Sequence, residues 1–151
     1  MLQIAPTHWF SWNCTVSDES RRVADIRLNW MREKGVLTIE DQTYRVYREA
    51  WMSGAFVIEH AGSVIAQAEK PSMFRRELVI RHAGREYTLR PASIVGRRFV
   101  LLQGSRQIGS LTPRGLFTRK AAADLPHDLP LPVRIFIVWL TVISWRREQS
   151  S

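Results

Sequence analysis

Hydrophobic and polar residues alternate with a period of two along most of the first 120 residues of the chain. The clearest runs place an apolar residue at every second position of 10–16 and of 24–30, and a looser run covers 74–80. Such alternation is typical of antiparallel strands with one buried and one solvated face. Short turn sequences separate the runs, so we predict about 11–12 strands between about residues 9 and 121.

Three segments in the middle of the chain repeat one pattern. Residues 56–68, 78–89 and 99–111 each contain an aliphatic run, a glycine-containing turn and a second apolar run, and the glycines are Gly62, Gly84 and Gly104. Three successive hairpins of this kind form a meander. A solenoid is the alternative for a repeat of about 20 residues, but the period-two alternation favours hairpins wound into a closed barrel, which has no exposed edge strand.

The segment LPLPVRIFIVWLTVISWRR (129–147) is apolar on nearly every side and is interrupted only by Arg134, Thr141 and Ser144 before its last two residues. Its apolar part is shorter than the roughly 20 residues that a membrane-spanning helix needs, which favours a buried helix over about 130–147. Barrels of about eleven strands can enclose a helix. We therefore predict one domain over 1–151, a closed antiparallel β-barrel around a central hydrophobic C-terminal helix, with Arg134 at the barrel mouth and Asp124 or Asp128 as helix cap.

The positive charge lies in the second half of the chain. Residues 1–70 contain 8 Lys/Arg and 9 Asp/Glu, whereas residues 71–151 contain 14 and 5, for a net charge of +8. Arginine binds phosphates and carboxylates through two parallel hydrogen bonds. The candidate contacts for an anionic ligand are Arg75, Arg76, Arg97, Arg98, Arg119 and Lys120. The alternative is that these charges only keep outward-facing strand positions soluble.

The residue pattern argues against an enzyme. The chain has no P-loop, GxGxxG, HExxH or GxSxG sequence and no Cys/His spacing typical of zinc. His60 and His82 occupy equivalent places in two His-Ala-Gly turns, which explains them as hairpin ends, and Cys14 falls on an inward-facing position. We expect no catalytic residues, no metal and no cofactor. The first residues do not resemble a signal peptide, which favours a cytoplasmic location.

Three segments resemble the tubby-like superfamily, which comprises tubby C-terminal domains, phospholipid scramblases and LURP-one-related proteins. They are FRRELVIRHAGREYTLRPAS (74–93), RQIGSLTPRGLFTRKA (106–121) and ADLPHDLPLPVRIFIVWLTVISWRR (123–147), within a likeness over about residues 10–147. The resemblance implies about twelve strands closed around a hydrophobic C-terminal helix. Tubby domains bind phosphoinositide headgroups through paired basic side chains, but no such position can be matched here. The proline-rich segment, cysteine cluster and acidic calcium-binding stretch of scramblases are absent.

These observations predict a non-enzymatic binding module, peripheral to the membrane, that recognises anionic phospholipid or phosphoinositide headgroups. Two alternatives stay open: a protein-interaction scaffold without lipid binding, and single-stranded nucleic-acid binding, in which Trp9 or Trp51 would stack on bases. Nucleic acid is the weaker of these, because Trp12, Trp30, Trp139 and Trp145 fall on inward-facing positions. The oligomeric state is left open.

Overall fold

Twelve antiparallel strands form a closed barrel around one helix. The computed structural model describes residues 1–8, 12–29, 33–49, 55–71, 76–115 and 120–150. The elements are β1 (Leu2–Pro6), β2 (Cys14–Asp18), β3 (Arg21–Asn29), β4 (Lys34–Ile39), β5 (Gln42–Arg48), β6 (Phe56–His60), β7 (Ser63–Glu69), β8 (Leu78–His82), β9 (Arg85–Pro91), β10 (Phe99–Gln103), β11 (Arg106–Pro113), β12 (Ala121–Asp124) and α1 (Leu131–Ser150). Each strand pairs with its neighbours in the chain, and β1 pairs with β12 to close the barrel. The predicted fold class is confirmed.

The two ends of the barrel differ in the length of their connections. Because consecutive strands are antiparallel, the connections from odd- to even-numbered strands all lie at one end, and the others lie opposite. Two-residue turns join the strands at 19–20, 40–41, 61–62, 83–84 and 104–105, an end that we call the turn end. At the opposite end, the loop end, four to eight residues separate successive strands.

The helix α1 fills the barrel from the turn end to the loop end. All residues from Val133 to Trp145 are buried except the half-buried Arg134 and Ser144. At mid-helix, the Trp139 ring packs edge-on against Phe56 of β6, with ring centroids 5.6 Å apart, and stacks on Phe136. An all-round apolar helix is thereby enclosed by inward-facing strand residues. In the ranges that the structure describes, no helix has the length and apolarity needed to cross a bilayer.

Three polar side chains of α1 form local hydrogen bonds. Arg134 lies near the turn end, where its Nε donates to the carbonyl oxygen of Leu129 at 3.0 Å, as predicted for a charge at the barrel mouth. The hydroxyls of Thr141 and Ser144 each donate to the carbonyl oxygen four residues earlier at 2.9 Å. Arg134, Thr141 and Ser144 therefore find hydrogen-bond acceptors within the helix or its approach.

The predicted aspartate cap is wrong. The amides of Val133 and Arg134 both donate to the carbonyl oxygen of Pro130, at 3.0 and 3.1 Å, and Pro132 has no amide hydrogen to offer. Asp124 and Asp128 are both exposed. Pro130 before the helix and Pro132 in its first turn thus start α1 without a side-chain cap.

The first strand was not predicted. Leu2 and Ile4 of β1 are buried, and β1 pairs with both β2 and β12. The strand has only two inward apolar positions in five residues, and the last of the five is Pro6. This is too few for a period of two to be recognised. In the next predicted strand, Cys14 and Val16 are buried as expected, whereas residues 9–11 lie outside the described residues, as do Trp30 and Phe74.

The two His-Ala-Gly turns are equivalent in structure as well as in sequence. Ala61 and Gly62 both have positive φ, as do Ala83 and Gly84, the conformation of a type I′ hairpin turn. The Nδ1 atom of His60 lies 3.1 Å from the carbonyl oxygen of Thr43, and that of His82 lies 3.0 Å from the carbonyl oxygen of Ile65. Each histidine therefore binds the backbone of the strand before it, which confirms both as hairpin ends.

Candidate functional site at the loop end

Three neighbouring connections carry the positive charge of the loop end. The connections 70–77, 92–98 and 114–120 follow one another around the rim, because β7 to β12 are consecutive in the barrel. Their sequences hold eight Lys/Arg and one Glu, whereas the five two-residue turns at the other end hold three Asp/Glu and no Lys/Arg. We call this half of the rim the basic arc. Its described cations are Lys70, Arg76, Arg97, Arg98, Arg114 and Lys120.

The structure brings four of the six predicted ligand contacts to this one rim. They are Arg76, Arg97, Arg98 and Lys120. The other two, Arg75 and Arg119, lie outside the described residues. Lys70 and Arg114 were not predicted, because neither has a basic neighbour in the sequence. The alternation of short and long connections in the sequence could have identified both residues. In an antiparallel barrel it places every long connection, and so every cation in one, at the same end.

Two cations of the arc are engaged with the end of α1. The guanidinium carbon of Arg97 lies 5.2 Å from the ring centroid of Trp145, whose Nε1 donates to the carbonyl oxygen of Arg97 at 2.7 Å. Burial lowers the pKa of the Arg97 guanidinium below its ordinary value. Arg76 forms an ion pair with the carboxylate of Glu148. Arg76 and Arg97 therefore position the β7–β8 and β9–β10 connections against the helix.

Other cations of the arc are exposed. Arg98 and Arg114 have no carboxylate within 4.0 Å among the residues that the structure describes. On the barrel wall, by contrast, Arg81 lies 3.1 Å from Glu69 and 3.4 Å from Glu86, and its hydrogen bond to Glu69 is the main cause of its raised pKa. Arg81 is thus neutralised by its neighbours, whereas Arg98 and Arg114 are available to an external anion.

The other half of the rim has no excess of basic residues. Arg147 near the end of α1 donates from Nε to Glu33 at 2.6 Å and lies 2.5 Å from the same carboxylate through a second nitrogen. Arg48 lies 3.4 Å from the other oxygen of Glu33. The half-buried carboxylate of Glu33 holds the end of the helix against the β3–β4 side of the barrel. A guanidinium that approaches a carboxylate through two nitrogens forms one of the stronger ion pairs in proteins.

An apolar pocket opens beside the end of α1. Its volume is about 170 Å³, and its rim carries Lys70, Arg76, Arg147 and Glu148. The apolar lining consists of Phe56, Leu78, Phe99, Leu140 and Ile143. An engineered apolar cavity of about 150 Å³ holds benzene, so this pocket has room for a small apolar group. Within the described ranges, no three His, Cys, Asp or Glu side chains are grouped to hold a metal ion.

No protein-family model, curated protein or solved structure matches this chain. The likeness to tubby-like proteins therefore rests on the three sequence segments. A closed barrel of twelve antiparallel strands with one C-terminal helix is compatible with that likeness.

Proposed function

We propose that this protein is a non-enzymatic binding module of the tubby-like type that docks on membranes containing anionic phospholipid or phosphoinositide. In this proposal the loop end faces the bilayer, and the exposed cations of the basic arc contact the headgroups. The protein would be cytoplasmic and peripheral to the membrane.

The observation that carries the proposal is the concentration of cations on one half of one rim. Eight Lys/Arg and one Glu fall in three adjacent connections, while the five turns at the opposite end contain three Asp/Glu, with Arg21, Arg85 and Arg106 beside them at the starts of strands. Each basic side chain near an anionic membrane surface contributes about 1 kcal/mol to binding. A patch of this kind on one end of a barrel can be presented to a flat surface as a unit.

The described surface favours a membrane over single-stranded nucleic acid. Nucleic-acid channels combine cations with aromatic side chains on which bases stack. The exposed large apolar residues in the described part of the chain are Met1, Val36, Val64, Ile94 and Val95, none of them aromatic. Trp12, at the loop end, is half-buried and packs against the core. Trp9 and Trp51 lie outside the described residues.

Sedimentation with lipid vesicles tests the proposal. We expect the full chain to sediment with vesicles that contain about a third phosphatidylserine or a few per cent phosphoinositide, and not with pure phosphatidylcholine vesicles. Raising the salt from about 50 to 200 mM should weaken this binding several-fold, because salt screens charges at the membrane surface. A single-stranded oligonucleotide of mixed sequence, titrated under the same conditions, is the competing partner.

The outcomes separate the candidate functions. Salt-sensitive binding to anionic vesicles with no measurable oligonucleotide binding supports the membrane proposal. Tight oligonucleotide binding that the vesicles cannot displace, or no vesicle binding at low salt, overturns it. The second of these results would leave a protein partner as the function to seek.

A further inference from the structure

Four of the connections at the loop end are seven residues long. They cover 7–13, 49–55, 92–98 and 114–120. In each of them the amide of the first residue donates to the carbonyl oxygen of the last, at 2.7 to 2.8 Å. The same closing hydrogen bond therefore recurs on both halves of the rim, in loops of unrelated sequence.

The third and fourth residues of every one of these loops are large and apolar in the sequence. The pairs are Trp9–Phe10, Trp51–Met52, Ile94–Val95 and Leu116–Phe117. Only the 92–98 loop is described throughout, and the other three pairs lie outside the described residues. Connecting loops are ordinarily rich in polar residues and glycine, and the 92–98 loop shows where such an apolar pair lies.

The described pair stands in solvent. Ile94 is 96% exposed and Val95 is 85% exposed, the two most exposed large apolar residues in the part of the chain that the structure describes. Scattered single apolar residues are normal on a surface, but two adjacent aliphatic side chains without cover are typical of an interaction site.

The loop holds this pair away from the barrel by its own contacts. The amide of Ala92 donates to Arg98 at 2.8 Å and closes the base. The hydroxyl of Ser93 donates to the carbonyl oxygen of Val95 at the tip. Trp145 of α1 donates to Arg97, and Gly96 supplies a positive φ of 96° after the pair. The apolar tip is thus tied to the buried helix through one residue of its base.

We infer that Ile94 and Val95 insert into the headgroup and upper acyl region of the bilayer while Arg98, at the base of the same loop, contacts anionic headgroups. The inference rests on the proposed function and names the part of the surface that enters the membrane. The apolar tip of the loop lies farther from the barrel than Arg98 at its base. A protein that approaches a bilayer meets these layers in the matching order, because the anionic headgroups lie outside the acyl chains. Interfacial anchors bind by this combination of apolar burial and attraction to anionic lipid.

The double substitution I94S/V95S tests the inference. It removes two exposed aliphatic side chains and no charge, so the fold is expected to persist, with an unchanged circular dichroism spectrum. We expect binding to phosphatidylserine-containing vesicles to weaken about tenfold or more, because burial of the two side chains is lost. The matched control V36S/V64S removes two exposed valines from the barrel wall and should bind as the wild type does.

Salt separates insertion from electrostatic attraction. The ratio of wild-type to I94S/V95S affinity should stay the same between about 50 and 200 mM salt, because apolar burial is not screened. Equal binding by I94S/V95S and wild type would overturn insertion and leave the proposed function standing. Absence of wild-type binding would instead overturn the proposed function. If neither protein binds vesicles and I94S/V95S differs from the wild type in oligomeric state, the tip contacts a second copy of the chain. That result also overturns insertion.

Discussion

Replacing Arg98, Arg114 and Lys120 together with glutamine is expected to weaken binding to anionic vesicles by about two orders of magnitude at low salt. All three side chains are exposed and lie in two adjacent connections of the basic arc. At about 1 kcal/mol for each cation near an anionic surface, their loss amounts to about 3 kcal/mol, which is roughly a hundredfold in affinity. Vesicle sedimentation with increasing lipid concentration measures this change.

A matched variant at the turn end isolates position from total charge. Arg21, Arg85 and Arg106 are exposed and begin β3, β9 and β11. R21Q/R85Q/R106Q also removes three positive charges. We expect its affinity for anionic vesicles to fall by no more than a few-fold, because these residues face away from the membrane in the proposed orientation. Equal losses in both triple variants would mean that net charge alone, and not the loop end, determines binding.

Trp139→Ala is expected to lower the free energy of unfolding by about 4 kcal/mol. Trp139 is fully buried at the middle of α1 and packs against Phe56 of β6 and Phe136 of the helix. Truncation of a buried aromatic side chain costs about 3–5 kcal/mol, because apolar contacts are lost and a cavity remains. Urea unfolding, followed by circular dichroism, gives the change from the shift of the midpoint at constant slope.

Two further variants show whether the cavity is the cause. Trp139→Phe should lose clearly less stability than Trp139→Ala, since it keeps most of the apolar volume. It also removes a buried indole Nε1 that has no hydrogen-bond partner among the described residues, a group whose desolvation is unfavourable. Val64→Ala, at an exposed position of β7, should change stability by less than about 0.5 kcal/mol. A loss below about 1 kcal/mol for Trp139→Ala would contradict the packing of α1 inside the barrel.

The fold was largely predictable because two independent patterns in this sequence, an alternation of period two and one all-round apolar segment, both point to a barrel around a helix. Alternate residues of β3 such as Ala24 and Ile26 are buried, as expected for a strand with one face in the core. The all-round apolar segment that ends in Trp145 forms most of the enclosed helix. Its apolar part is shorter than a membrane-spanning helix needs, which indicated burial inside protein. The short strand β1 was missed, because five residues contain too little of the pattern. The start of the helix was predicted to within a residue, but its cap was wrong, because the carbonyl oxygen of Pro130 accepts the amides expected to bind an aspartate.

The candidate site was predictable in composition but not in arrangement. The excess of arginine in the second half is visible in the sequence, and four predicted residues lie together at the loop end. Which cations are engaged with carboxylates or rings depends on contacts between distant residues, such as Arg76 with Glu148 and Arg97 with Trp145. No local pattern reports such contacts. The exposed tip of Ile94 and Val95 was missed because an apolar pair in a sequence is ordinarily assigned to a buried strand.

The measurement that tests the proposed orientation most directly compares two fluorophores at opposite ends of the barrel. A polarity-sensitive dye is attached to V95C at the loop end or to S105C in the β10–β11 turn, with unsubstituted protein as the blank because Cys14 is buried. On phosphatidylserine-containing vesicles we predict a blue shift of the emission for the dye at position 95 and no shift for the dye at position 105. A shift at position 105, or no shift at either position while the protein sediments with the vesicles, would contradict docking by the loop end.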